Sequence, residues 1–282
     1  MTLELLEALS LPGDAAKPNE DSFAHLDHAA LVLDGATPLG PSLLPGPSDA
    51  AWIAQFGARR LAAHLKEGDA PDKALEHALE DAARSFIGLS RQPIREKWQT
   101  PCASLMLVSL DQDRRGLKFF WFGDCAAIVQ SGDDVTVVGE SLQKRREEAA
   151  RAKKMAKALN LSSAAGVNRP EIEPLLRAAR NRINSGRNWL FSPDPRAAAH
   201  VARQEMAAKE GDCILLASDG FLALVGDYGL YDPKSLLDAA RQDGLAALGK
   251  ILRATEDADP AGETYARFKK SDDATAVLLR IR

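Results

Sequence analysis

Cysteine is scarce in this chain: Cys102, Cys125 and Cys213 are the only three among 282 residues, each inside an apolar run and none in a C-x-x-C pair. An odd, unpaired set argues against a disulfide framework and against structural zinc. Long apolar runs are missing as well. No stretch approaches the ~20 apolar residues that a membrane span needs, and the opening MTLELLEALS has no cationic segment ahead of an apolar one. The expectation is a soluble, cytoplasmic protein with no membrane partner. Positive charge is also in short supply, with 36 Lys and Arg against 40 Asp and Glu, a net −4. Such a surface is not built to coat nucleic acid, so any basic site has to be local. G-x-x-x-x-G-K-[ST], G-x-G-x-x-G and G-x-S-x-G are all absent, which leaves NTPase, dinucleotide-binding and hydrolase-elbow readings without an anchor.

What is present is the balance of an ordinary folded protein, 45% hydrophobic and 27% charged. Nothing in the length forces a split, and residues 1–282 read as a single domain. Strand-like runs fall at Leu3–Ser10, Ser22–Leu26, Ala29–Leu33, Cys102–Leu110, Leu117–Phe122, Ala126–Gln130, Val135–Val138, Cys213–Ala217 and Ala274–Ile281. Helical spacing falls at Ser48–Lys66, Asp72–Leu89, Leu142–Leu159, Glu171–Ile183, Pro233–Gln242 and Leu245–Ala254, with Ser48 and Asp72 as N-terminal caps. Trp52, Ile53, Phe56 and Leu65 give the first helix one apolar face. Strands come first and last with helices grouped between, which predicts α+β layering in which the first two helices form an antiparallel pair over one sheet.

One local pattern recurs: an apolar strand that stops at Asp beside Gly. It stands at Asp34-Gly35, at Gly123-Asp124 and at Asp219-Gly220. Each alone reads as a turn, since Asp and Gly tolerate turn geometry. Two acidic pairs stand at strand starts, Glu20-Asp21 and Asp272-Asp273. Drawn from both ends of the chain, these acids could meet at one edge of packed sheets, where hard oxygen ligands suit Mg²⁺ or Mn²⁺. Without cations such a cluster is repulsive, so the acids are either spread apart or metal-bound.

The order N-E-D-S, L-D-G, G-D-C, L-A-S-D-G-F, D-D-A-T-A-V closely resembles the metal-dependent protein phosphatases of type 2C, from Leu3 to Arg282. The resemblance implies a β-sandwich of two packed antiparallel sheets flanked by antiparallel helix pairs. It also implies a centre of two Mn²⁺ or Mg²⁺ ions at one end of the sandwich. Carried over, Asp34 bridges both ions, the Gly35 carbonyl and Glu20 serve the second, Asp219 and Asp272 hold the first, and Asp21 stands just behind. The implied activity is hydrolysis of phosphate monoesters, with phosphoserine and phosphothreonine in proteins as the substrates, by water activated between the ions. Asp273 sits where the family usually has Asn, and Asp124 reads as a turn.

Three departures stand out. Ala36 occupies the position of the family's proposed general-acid His. Where the family has a phosphate-binding Arg, the only cation is Lys17, a point charge in place of a bidentate fork. The family's third-metal segment is matched only by Gly139, Glu140 and Ser141. These departures keep open a second reading, a catalytically weak binding or regulatory module. His25 and His28 have metal-like spacing, but strand positions three apart point to opposite faces. From Gln143 to Arg187 the chain carries twelve basic and four acidic residues, net +8. A basic helical insertion or flap at about residues 140–190 is expected, either as a solvated face or as a dock for a phosphoprotein partner. Aromatic interleaving is missing there, which disfavours nucleic acid.

Overall fold

The computed structural model describes residues 1–111, 113, 115–139, 173–265, 267 and 269–282. The expected helix at 142–159, Glu140, and most of the basic segment lie outside these residues.

Among the described residues, ten strands form two five-stranded sheets in which every pairing is antiparallel. One sheet has the order β2 (Asp21–Leu26), β3 (Ala29–Gly35), β4 (Ala103–Leu110), β5 (Gly116–Phe122), β8 (Ala202–Ala207). The other runs β1 (Leu3–Leu11), β10 (Ala274–Ile281), β9 (Cys213–Ala217), β6 (Ala126–Ser131), β7 (Asp134–Gly139). Successive side chains on a strand face opposite ways, and this sets the layers. Ala30 and Val32 of β3 join Met106, Phe119, Ile214 and Val277 between the sheets. Leu31 and Leu33 face outward against Ile53, Leu61, Leu75 and Leu79. These last belong to α1 (Asp49–Glu67) and α2 (Pro71–Leu89), the expected helix pair. On the far side Leu215 and Leu278 meet α4 (Asp219–Gly226), α5 (Pro233–Gln242) and α6 (Leu245–Ala258) through Phe221, Leu236 and Leu248. Central strands covered on both faces are apolar on both, as β4 is from Leu105 to Val108, and β4 is buried along its whole length.

Ser48 caps α1 as expected, accepting from the Ala50 and Ala51 amides. Asp72 does not cap α2: the helix begins one residue earlier, at Pro71, and Asp72 lies in its first turn, where a negative charge still meets the helix dipole favourably. The helix expected over Glu171–Ile183 is present as α3 (Glu173–Arg180), followed by turns. Two elements escaped the period test. β8 reads Ala-Arg-Gln-Glu-Met-Ala and is half exposed at a sheet edge, so it has no apolar run. α4 is buried almost throughout, so its apolar residues show no 3.6-residue rhythm. The cysteines are free and buried, Phe191 is core, and the His25 Nε2 lies 2.7 Å from the Leu3 carbonyl oxygen. No helix among the described residues is long and apolar enough to cross a membrane.

Candidate metal centre

The antiparallel register of β2 and β3 sets Asp21 opposite Asp34. Because β2 begins at Asp21 and β3 ends at Asp34-Gly35, both acids stand at one end of their sheet. The other sheet delivers its acids to the same end: β9 stops at Ala217, Ser218 and Asp219 follow, and Asp272-Asp273 lead into β10. The glycines of the two Asp-Gly pairs have a packing reason. A Cβ on Gly35 would collide with the carbonyl oxygens of Glu20 and Ala50, and one on Gly220 with that of Asp273. Only a bare backbone lets these turns close on one another.

Ser218 ties the sheets together. Its fully buried hydroxyl donates to Asp21 Oδ2 at 2.7 Å and accepts from the Thr275 amide at 2.9 Å. The network continues through Thr275 Oγ1 to Ser10 Oγ at 2.7 Å, to which Asn19 Nδ2 donates at 2.9 Å. Glu20 is held separately: Thr37 Oγ1 donates to one carboxylate oxygen at 2.8 Å and Ser48 Oγ to the other at 2.5 Å. Asp273 accepts from the Gly13 and Glu20 amides, both at 2.7 Å, and so staples the loop ahead of β2 to the start of β10. Asp124 accepts from Ser104 Oγ at 2.6 Å, a turn acid as expected, beside the cluster.

Burial, with Asp21, Asp219, Asp124 and Asp272 around it, pushes the Asp34 carboxyl well above the usual carboxylate range. Burial and the charges of Asp272 and Asp273 raise Asp21, against hydrogen bonds from Ser218 and Thr275. Asp272 is pushed up to about 7 by burial and by Asp219, with Lys269 opposing. Such an array asks for positive charge. Its donors are hard oxygens, and Asp21 Oδ1 is buried with no hydrogen-bond partner among the described residues. Among the described residues, no three of these carboxylates come within 4.8 Å of one another. Ligands of a single octahedral ion lie within about 4.4 Å of one another, so three of these carboxylates would have to draw together on an ion that they share. The donor set fits Mg²⁺ or Mn²⁺.

Lys17 lies apart from this cluster in what the structure shows of its contacts. It stands on a turn, its side chain 77% exposed, with Nζ 3.7 Å from Asp14 Oδ2. The cation that folding brings in is Lys269, ion-paired with Asp272 and 3.5 Å from Thr37 Oγ1. Its own burial lowers the ammonium pKa, but Asp272, Asp34 and Asp219 more than offset that and raise it. Ser218, Thr37, Ser48 and Lys269 are the site residues that sequence reasoning passed over. A lysine three residues before Asp272 was the available signal. The part of the basic segment that is described packs onto the loop after Gly35: Arg177 Nη2 donates to the Leu39 carbonyl at 2.9 Å and Arg180 Nη2 to that of Thr37 at 3.3 Å.

No family model matches the chain, and no curated protein matches it by sequence. Solved structures do match it over its full length. The catalytic domain of the serine/threonine protein phosphatase PstP, in complex with two manganese ions, aligns over 100% of this chain and 99% of its own at 14% identity and a TM-score of 0.58. The Mycobacterium tuberculosis phosphatase PstP/Ppp aligns over 100% of both chains at 16% identity and 0.58. The Ser/Thr phosphatase MsPP from Mycobacterium smegmatis aligns over 99% of this chain and 100% of its own at 17% identity and 0.55. The two antiparallel sheets and their flanking helices are thus those of a known architecture, and this chain has the fold of the metal-dependent type 2C protein phosphatases.

Proposed function

We propose that this chain hydrolyses phosphate monoesters and that its substrates are phosphoserine and phosphothreonine in proteins. The observation that carries the reading is the buried acid set at the sandwich end, with Asp21 Oδ1 unpartnered among the described residues, in a fold shared end to end with such phosphatases. Asp34, Asp219 and Asp272 would hold one divalent ion, and Asp34, the Gly35 carbonyl and Glu20 the other. Mn²⁺ or Mg²⁺ bound there supplies a water that loses its proton near neutral pH and positive charge facing the phosphoryl oxygens. The chain's own residues fix the donors. Ser218 orients Asp21, while Thr37 and Ser48 orient Glu20. Lys269 balances charge at Asp272. Ala36 offers no proton, so leaving-group protonation falls to another group. Lys17 is proposed to meet the substrate phosphate as a mobile point charge. Residues 143–187 are proposed to attract the phosphoprotein, by long-range attraction that salt weakens.

A second reading, a catalytically weak binding or regulatory module, is favoured by Ala36 and by the exposure of Lys17. Hydrolysis of p-nitrophenyl phosphate separates the two. Phosphatase function predicts Mn²⁺-dependent turnover that chelation abolishes and that Asp34→Asn or Asp219→Asn lowers by orders of magnitude with the circular dichroism unchanged. Wild-type rates in both variants would refute the assignment of the centre, and no turnover at any Mn²⁺ concentration would leave the module reading.

A further inference from the structure

We propose a second metal site of different chemistry, at the end of the α1–α2 hairpin, which takes a borderline transition-metal ion such as Zn²⁺. His64 lies in the last turn of α1, Asp69 in the connection and His77 in the second turn of α2. One ligand atom from each comes within 4.8 Å of the others, a convergence found nowhere else among the described residues. Both imidazoles turn Nδ1 toward one carboxylate oxygen, Asp69 Oδ2, at 3.5 Å for His64 and 2.7 Å for His77. Neighbouring ligands of a tetrahedral zinc lie about 3.3 Å apart, given bond lengths of about 2.0–2.1 Å. The His64 spacing is already near that value, whereas the His77 Nδ1–Asp69 Oδ2 hydrogen bond has to open by about half an ångström and release its proton as the ion binds. A fourth ligand is at hand in Glu67, whose Oε2 is 3.9 Å from His64 Nδ1, one helical turn along.

The surroundings of His64 are those of a ligand held in place. Its other nitrogen, Nε2, lies 2.9 Å from Asp81 Oδ2. A bare nitrogen would face the carboxylate lone pairs at that distance, so Nε2 donates to Asp81 and Nδ1 is the atom turned toward the site. Arg60 Nη2, 3.3 Å from the same nitrogen, lies at the longer distance. Asp81 is itself gripped by Arg60 and Arg84, each at 2.5 Å. Although burial alone would raise its carboxyl, hydrogen bonds from His64, Arg60 and Arg84 hold it down at about 2, so it stays a fixed anion. A carboxylate on the distal nitrogen orients a ligating imidazole and raises its basicity. Two imidazoles with one or two carboxylates suit Zn²⁺, Co²⁺, Ni²⁺ or Cu²⁺, whereas all-oxygen sites suit Mg²⁺ and Mn²⁺.

The acidic cluster could also take Zn²⁺, so the test blanks it. In the Asp34→Asn/Asp219→Asn background with excess Mg²⁺, equilibrium dialysis against Zn²⁺ should return one tightly bound ion per chain and a higher melting temperature. Adding His77→Ala, a change at a half-exposed side chain, should weaken that binding at least tenfold and abolish the Zn²⁺-induced rise. Asp69→Asn should do the same. Co²⁺ in place of Zn²⁺ should give visible d–d absorption that disappears in both variants. Absence of Zn²⁺ binding in the blanked background, or equal binding by the His77→Ala chain, would overturn the proposal. Because the acidic centre is disabled throughout, neither result bears on the phosphatase reading.

Discussion

Ser109 and Ser218 permit a matched test of how the two sheets are held together. Both hydroxyls are buried on or beside central strands, at 1% and 0% exposure, and Ser→Ala removes one oxygen from each. Their partners differ. Ser218 Oγ donates to a carboxylate and accepts from the Thr275 amide, whereas Ser109 Oγ has no hydrogen-bond partner among the described residues. Removing Ser218 Oγ forfeits two buried hydrogen bonds and leaves both the Thr275 N–H and Asp21 Oδ2 short of a partner, about 2–4 kcal/mol in total. At about 2 °C per kcal/mol for a chain of this length, Ser218→Ala should melt about 4–8 °C lower. Ser109→Ala removes an unpaired polar group and should be neutral or up to about 1 kcal/mol stabilising. Differential scanning calorimetry on the metal-free chain reads both. Equal shifts in the two variants would refute the argument, since they would show that the hydroxyl's partners do not set its contribution.

Burial and Asp219 push the Asp272 carboxyl from the usual 3.8 up to about 7 in the folded chain, and Asp21 and Asp34 are also raised. The folded state therefore binds protons that the unfolded chain releases, so stability is fully present at low pH and is lost as pH rises from about 4 through about 7. Saturating Mn²⁺ should accordingly raise the melting temperature more at pH 8 than at pH 5, and the reverse ranking would exclude these acids as its ligands. Lys17→Ala should raise KM for a phosphopeptide more than it lowers kcat. An unchanged KM in that variant, with a raised KM in Lys269→Ala, would move the phosphate contact to Lys269. Reversing Arg145, Lys153, Lys154 and Lys157 to Glu should slow phosphoprotein turnover at low ionic strength and spare small esters, and equal losses on both would refute docking.

The sequence by itself determined the layers and the ends of most strands. The apolar runs Ala29–Leu33 in β3 and Leu105–Val108 in β4 identify strands covered on both faces, and such a run is a local property that needs no partner to be seen. The Asp-Gly stops and the two acidic pairs were legible as well, because acids that end strands stand out from apolar flanks. What local pattern could not carry was any element without contrast: β8, too polar to read as a strand, and α4, too uniformly buried to show a face.

Only the tertiary structure decided which groups meet. It set Asp21 against Asp34 through strand register, and it brought Ser218 to Asp21 across 197 residues of chain. It placed Lys269 on Asp272, left Lys17 in solvent, and turned His64 and His77 toward a single oxygen of Asp69. The reason is physical: charge, desolvation and hydrogen bonding act through distances of a few ångströms, and those distances are fixed by how the sheets and helices pack on one another rather than by spacing along the chain.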